Sequence, residues 1–440
     1  MCGVFDKTID FCRIDIKMID KNDLLNILYD WNFWSKDQET GILRPIYVSK
    51  ITKLINSGQV TMITGIRRSG KSYLMRQTIT SLINSGVSKN NILFVNFEDA
   101  RFPEELGVAI LGEIFALYQK NLSPKREVYV FLDEVQKVKG WERWVRTMHE
   151  LNKAKIIISG SNSQLMAKEF GTVLTGRHLD LTVFPLSYSE YLEFDKNPSR
   201  SKLEDYLTTG GFPVAVLQND DVAVLSSYFE DILTKDLIKR FKIRKTEEIR
   251  NLARYYLGNP AGSVSFSKLG RNLNMTTDTA IKFSAYLETV YLNFLVNRFS
   301  WKFTEQEKSP KKSYVIDTGL AAKIGFTTER NLGFMSENIV YLEFLRRGVG
   351  NDEVFYYSDE KRRETDFVVK KLGGYEAFQV CWTLNRPEVK NREIKGLLSC
   401  LSKLKLDEGV ILTSGNRGEE KIDGKLIKII PLEEWLLMRS

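Results

Sequence analysis

The sequence predicts an α/β protein with a parallel sheet at its centre and further domains behind it. Three observations lead there. In TMITGIRRSGKSYLMRQ, which begins at Thr61, an apolar strand passes through two glycines and a lysine into an apolar helix. In REVYVFLDEVQKV, the apolar run Val128–Leu132 ends in the adjacent acids Asp133 and Glu134. Such a run suits a strand buried on both faces of a parallel sheet. Finally, 440 residues, 43% of them hydrophobic, are too many for one core, so two or three domains are expected.

Composition narrows the class. The formal charge of +8 permits a nucleic-acid partner without requiring one. The four cysteines, Cys2, Cys12, Cys381 and Cys400, show neither metal spacing nor a disulfide framework, which favours a reducing interior. With only two histidines, His149 and His178, a multi-histidine metal site or a Ser-His-Asp centre is nearly excluded. No apolar run is long enough to span a bilayer, and the start, MCGVFDKTIDFCRIDIKMID, lacks a signal-type stretch. A cytoplasmic protein with no membrane partner is expected.

The elements follow in order. Val60–Thr64 reads as a buried strand and Tyr73-Leu74-Met75 opens a helix. Between them Gly65-Ile66-Arg67-Arg68-Ser69-Gly70-Lys71-Ser72 matches G-x-x-x-x-G-K-[ST]. Glycines let the backbone curl and aim N–H groups at an anion, at a helix N-terminus whose dipole favours negative charge. Lys71 would reach the β- and γ-phosphates and Ser72 would bind Mg²⁺. Arg67 and Arg68 fill free positions and are expected at the surface, with either able to help hold an anion. The strand–loop–helix context argues against a mere Gly-rich turn.

Asn91–Asp99 reads as the next strand. At the end of Val128–Leu132, Asp133 would hold Mg²⁺ and Glu134 would polarise the attacking water. Trp141, Trp144, Val145, Met148 and Leu151 make a helical stripe that reads as core. Ile156-Ile157-Ile158 is a further strand, ending in Ser159-Gly-Ser-Asn-Ser. Asn162 or Ser161 there would sense the γ-phosphate or orient the water, or simply cap a helix. Thr234-Lys235-Asp236-Leu237 lacks the last acid of a guanine-reading N/T-K-x-D, so ATP is preferred to GTP.

The order of this loop, FLDEVQ, IISGSNS, TGRHLDLTVFPLSYSEYL and YLTTGGFP resembles a family of bacterial and archaeal AAA-type ATPases. Its members have an archaeal-ATPase-like core, a winged helix and a C-terminal domain similar to restriction endonucleases. The resemblance runs from about Asn22 to the end, and LLNILYDWNFW and Arg44 look like the family's lead-in. It implies that Arg177, just before the last core strand, is an arginine finger acting on a neighbour's γ-phosphate or its own. It also implies that Gly210-Gly-Phe-Pro213 belongs to a small helical lid, with Pro213 near the nucleotide. The domains implied are a lead-in (1–43), ATPase core (44–190), lid (191–245), winged helix (246–312) and restriction-endonuclease-like domain (313–440).

After the break Gly258–Gly262, SFSKLGRNLNMTTDTAIKFSAYLETVYLNFLVNRFSW reads helix, turn, helix, strand, with Thr276 as a cap and Ala280, Phe283, Ser284 and Leu287 facing inward. This is a winged-helix pattern, yet its second helix offers only Lys282 as a base, with Asp278 and Glu288 opposing phosphate. The basic run Lys235–Lys245 is the better candidate for phosphate contact. In the last region a helix bearing Glu337 precedes strands bearing Asp366 and Gln379-Val-Cys381. The order resembles the PD-(D/E)xK nuclease fold, with Gln379 in place of the second acid and Cys381 in place of the lysine. Such a site, with Glu337, Asp366 and Gln379, is expected to be degenerate, because an amide is a poor ligand for Mg²⁺.

The expected function is an ATP-binding and ATP-hydrolysing switch, with Mg²⁺, acting on nucleic acid and able to form homo-oligomers. A regulatory ATPase with a protein partner and an ATP-dependent nuclease are the alternatives.

Overall fold

The computed structural model describes residues 19–125, 127–161, 177–195, 202–218, 221–325 and 331–438. Helix α1 (Lys21–Trp31) and α2 (Pro45–Asn56) precede the first strand. The side chain of Asn32, just past α1, donates to the Phe94 carbonyl at 2.8 Å and accepts the Phe94 N–H at 2.7 Å, pinning the lead-in to a core strand.

The first sheet is parallel, in the order β2 (Ile92–Asn96), β4 (Tyr129–Asp133), β6 (Lys155–Ser159), β1 (Val60–Thr64), β7 (His178–Thr182). β3 (Leu106–Gly107) and β5 (Val138–Lys139) form a small separate pair. Alternate residues face opposite sides of the first sheet. Leu93, Val95, Val130, Leu132, Ile156 and Ile158 pack with α1, α4 (Ala109–Leu122) and α5 (Trp141–Glu150). Phe94, Phe131 and Ile157 pack with α2 and α3 (Lys71–Asn84). Burying each such side chain contributes roughly 1.5–3 kcal/mol. In the α5 stripe Trp141, Val145 and Met148 are buried, but Leu151 is 61% exposed, because it falls one residue past the end of the helix.

Helices α6 (Tyr188–Phe194), α7 (Lys202–Thr209), α8 (Pro213–Gln218) and α9 (Asp221–Asp231) follow. α9 continues through a π-helical turn, Ile232–Ile238, into Lys239–Phe241. Next come α10 (Thr246–Gly258), β8 (Gly262–Val264), α11 (Phe266–Asn272), α12 (Thr277–Thr289), β9 (Asn293–Arg298), α13 (Phe303–Lys308) and β10 (Lys311–Val315). Thr276 caps α12 by accepting the Thr279 N–H at 3.1 Å. Glu288 turns inward and accepts the Leu295 N–H at 3.0 Å, so it does not oppose an incoming phosphate from the helix surface.

α14 (Thr318–Ile324), α15 (Leu332–Arg346), β11 (Val354–Ser358), β12 (Glu364–Lys371), β13 (Gly374–Val380), α16 (Pro387–Leu404), β14 (Glu408–Thr413), β15 (Gly418–Ile422), β16 (Lys425–Pro431) and α17 (Leu432–Leu437) complete the chain. A nine-stranded mixed sheet runs β15-β16-β14-β13-β12-β11-β9-β10-β8. The parallel pairing of β9 with β11 joins the helical unit before it to the last unit, and the expected boundary at 312/313 falls inside β10. One buried apolar cluster extends from Ile66 through the helices of 188–258 to Trp435.

Candidate functional site

The loop after β1 takes its shape from two glycines. Gly65 has φ 136°, and a Cβ there would run into the Val183 carbonyl oxygen. Gly70 has φ 98° and stands at the N-terminus of α3. Both conformations are closed to most L side chains. Lys71 is buried, and its ammonium donates to the Gly65 carbonyl at 2.9 Å and the Ile66 carbonyl at 3.1 Å. It lies 3.9 Å from Glu134. The loop is held from behind by Arg44, which donates to the Ser69 carbonyl at 2.9 Å and forms a buried ion pair with Glu190 at 2.7 Å.

The acids at the tip of β4 face this loop. The Ser159 hydroxyl, at the tip of β6, donates to Asp133 and accepts the Glu134 N–H at 3.0 Å. The Ser72 hydroxyl lies near enough to Asp133 to favour its ionised form. Glu134 has φ 53°, which turns the chain out of the strand, and its carboxylate accepts from the Gln136 amide. Burial pushes both carboxyls up, opposed at Asp133 by the Ser159 and Ser72 hydroxyls and at Glu134 by the Lys71 ammonium. An acid, a hydroxyl and an ammonium thus converge at the C-terminal ends of parallel strands. Ser69 Oγ and Ser161 Oγ are buried without a hydrogen-bond partner among the described residues. Orphaned hydroxyls, a backbone cradle that excludes a Cβ, and a hydroxyl–carboxylate pair suit a nucleotide phosphate with Mg²⁺.

The two loop arginines depart from expectation. Arg67 is not a free surface residue. Its guanidinium is fully engaged, with Asp236 at 2.9 Å and Glu98 at 2.7 Å. Arg68, at φ 69°, lies over the Tyr228 ring at 5.5 Å and 3.7 Å from Asp231. Ile66 is buried in the cluster shared with the helices that follow the first sheet.

Arg177 stands at the other end of the sheet. Its carbonyl accepts the Val60 N–H at 3.1 Å, and its guanidinium pairs with Glu150. The strand between Val60 and the loop spans about 15 Å at ~3.3 Å per residue. Arg177 is therefore not beside the phosphate loop of its own chain. Asn162 lies outside the described residues. Pro213 opens α8, and the glycines before it meet other partners: Gly211 N–H donates to Asp317 at 2.6 Å, and its carbonyl accepts the Leu186 N–H at 2.7 Å. Arg44, Glu98, Gln136, Ser159, Glu190 and Asp236 were not anticipated as site residues. Glu98 and Ser159 stand at strand tips, which was a legible signal. Asp236 had none.

A second cluster lies in the last unit. Glu337 on α15, Asp366 on β12 and Gln379 on β13 line one cleft. Gln379 accepts the Asp366 N–H at 3.2 Å and donates to Glu393 at 2.5 Å. Cys381 contacts the Thr383 carbonyl, and burial pushes its thiol up to about 11, so it carries no charge at neutral pH. Cys381 leaves the expected lysine position without a cation, but Lys312 supplies one beside the carboxylates, from β10. Its ammonium lies 2.7 Å from Glu337, 2.6 Å from Glu364 and 2.9 Å from Asp366. Among the described residues no group of three or more His, Cys, Asp or Glu is arranged to hold a metal ion. No described helix is long and apolar enough to cross a membrane.

Comparison with known proteins adds the following. An AAA domain model matches residues 57–192, and two models of domains of unknown function, DUF8612 and DUF4143, match 200–330 and 332–435. The chain is 32% identical to uncharacterized protein MJ1544 of Methanocaldococcus jannaschii, covering 91% of this chain and 95% of that one. It is 27% identical to an uncharacterized protein of Haemophilus influenzae, covering 90% and 98%. Among solved structures, the Walker-type ATPase PABY2304 of Pyrococcus abyssi aligns at 15% identity with a TM-score of 0.45, over 67% of this chain and 99% of that one.

Proposed function

The chain belongs to the family of uncharacterized protein MJ1544 and carries an AAA-type P-loop ATPase domain, and from that premise we propose that it is an ATP-hydrolysing switch acting on nucleic acid. One observation carries the reading: Lys71 stands within 3.9 Å of Glu134, beside Asp133 held by the Ser159 hydroxyl, where the phosphate loop meets the tip of β4. In this reading the backbone of Gly65–Lys71 cradles the phosphates of ATP, and Lys71 leaves its loop carbonyls for the β- and γ-oxygens. Ser72 and Asp133 would hold Mg²⁺, which would supply positive charge for the phosphates. Glu134 orients and polarises the water. Asn162 is its candidate helper, and Pro213 the lid residue next to the nucleotide.

The finer domain readings have support of their own. The order α10, β8, α11, α12, β9, β10, with antiparallel β8-β10-β9 pairing, supports a winged helix. Glu337 and Asp366 on a helix and a strand of a mixed sheet support a nuclease-like domain, with Gln379 and Cys381 arguing against metal-dependent cutting. A homo-oligomer in which Arg177 meets a neighbour's nucleotide, in the cytoplasm, completes the reading. The test is phosphate release from MgATP with and without DNA or RNA. Wild type should turn over ATP, and Lys71→Ala should lose nucleotide binding by at least about tenfold. An equal rate in Lys71→Ala would sink the reading.

A further inference from the structure

The cleft around Glu337 and Asp366 has a volume of about 660 Å³. This is within the usual range of ligand pockets, and too small to enclose a duplex. Its floor is an ion cluster drawn from three elements: Lys312 on β10, Glu337 on α15, and Glu364 and Asp366 on β12. Lys312, Glu337 and Asp366 are buried. One ammonium between three carboxylates takes the place that a divalent cation would take beside a phosphodiester. Asp366 is further committed, because its second oxygen accepts the Val380 N–H at 2.9 Å. Without Lys312 these carboxylates would repel a phosphate. With it, the negative charge of the floor is reduced, and the four cations of the rim, Lys361, Arg362, Arg363 and Arg392, outweigh what remains.

The rim is basic and built. Asp359 organises a tight turn: its side chain accepts the N–H groups of Lys361 and Arg363 at 2.9 Å each, and its carbonyl accepts the Arg362 N–H at 3.0 Å. Arg362 sits at φ 59° to make this turn. Lys361, Arg362 and Arg363 all line the cleft, and Arg392 on α16 faces it from another element, 75% exposed and paired on one side with Glu393 at 2.5 Å. Phe334, on the first turn of α15, is 48% exposed at the same cleft. Fixed cations next to an exposed ring match a single nucleic-acid strand, whose phosphates seek charge and whose bases stack.

We propose that this cleft binds a single strand of nucleic acid without a divalent cation, the Lys312 ammonium standing between the carboxylates. Lys361, Arg362 and Arg392 hold the phosphates and Phe334 offers a ring to a base. The choice of ligand rests on the nucleic-acid part of the function proposed above. The site shares no residue with the phosphate loop and lies in another unit of the chain.

The test uses the full-length protein and fluorescence anisotropy with labelled strands of about 15 nucleotides, as DNA and as RNA, and the matching duplex. Binding to a strand should be equal in EDTA and in Mg²⁺, and stronger than to the duplex. The double reversal Lys361→Glu with Arg362→Glu should weaken it at least tenfold, and lower the salt slope by roughly 1.4 if two phosphate contacts are lost. Phe334→Ala should weaken it less. Dependence on Mg²⁺, preference for duplex, or insensitivity to the Lys361/Arg362 reversal would overturn the proposal. ATP turnover with no affinity for any strand removes the cleft but keeps the ATPase. Strand binding lost on rim reversal, in a protein that does not hydrolyse ATP, keeps the cleft and removes the ATPase.

Discussion

Lys71 and Glu134 are poised against each other. The Lys71 ammonium is satisfied by two loop carbonyls and lies 3.9 Å from the Glu134 carboxylate. A triphosphate would compete for that ammonium and free Glu134 for water. Glu134→Gln keeps the shape and removes the base, so ATP should bind as in wild type and hydrolysis should fall by about 10²–10⁴-fold. Single-turnover phosphate release alongside nucleotide binding reads both, and a wild-type hydrolysis rate would assign the base elsewhere. Arg177 belongs to a different test. Its position at the far end of β1 sets it apart from the phosphate loop of its own chain, so the proposed finger role requires a neighbour's nucleotide. Mixing Arg177→Ala chains with Glu134→Gln chains should restore part of the activity that each lacks. A mixture as inactive as its components would leave Arg177 as the partner of Glu150 alone.

At the scale of elements, the helix after the first sheet works as a latch on the phosphate loop. Asp231 meets Arg68 and Asp236 meets Arg67: the acids are five residues apart, the arginines adjacent. An α-helix would bring back a face after three or four residues. The π-helical turn Ile232–Ile238 brings it back after five, and so sets both acids toward adjacent arginines. Asp236→Ala would leave a partly buried guanidinium with Glu98 as its remaining carboxylate. The expected cost to the latch is about 1–3 kcal/mol. Amide exchange should quicken across Ile232–Ile238, while the strands of the first sheet stay protected. Unchanged exchange in that segment would show that the pair does not hold the latch.

Across the whole molecule, the nucleotide site and the last unit are mechanically joined. Arg44 ties the Ser69 carbonyl to Glu190 and to the Phe184 carbonyl, and Arg346 on α15 donates to the next two carbonyls, of Pro185 and Leu186. Asp317, capping α14, also holds Gly211, and a Cβ at Gly210 would strike its carboxylate. A shift in the loop after β7 would therefore reach both sheets. The buried charge that joins the units also makes stability depend on pH. Burial, then the Asp366 charge, push Glu337 up to about 8 against the pull of Lys312 and Tyr314. The folded cluster thus keeps a proton that the unfolded chain releases above about 4.5. Between these values the native state binds more protons, so this group's contribution to stability falls as pH rises through the window. Glu337→Gln should flatten the fall in unfolding midpoint between pH 5 and pH 8. An unaltered slope would mean that Glu337 is already ionised in the folded chain.

The residues that act through contiguous spacing were legible from the sequence. Gly65 to Ser72 specify a strand, a turn of unusual backbone and a helix N-terminus within one short stretch. The run into Asp133 and Glu134 marks a buried strand and its tip. Such features are local, because period and glycine placement act on neighbouring residues. The partners were decided only by tertiary structure. Arg67 is 169 residues from Asp236, Arg44 is 146 from Glu190, and Lys312 is 54 from Asp366. No spacing rule links such residues, since a charged side chain finds its counterpart wherever packing brings two elements together. The expected lysine position at Cys381 was empty of charge, yet the pairing of β10 beside β9, and of β9 with β11, carried an ammonium from another part of the chain into the same cleft. Sequence determined the phosphate loop and its acids. The fold decided which charges surround them, because burial makes an unpaired charge costly and only the assembled chain can supply its pair.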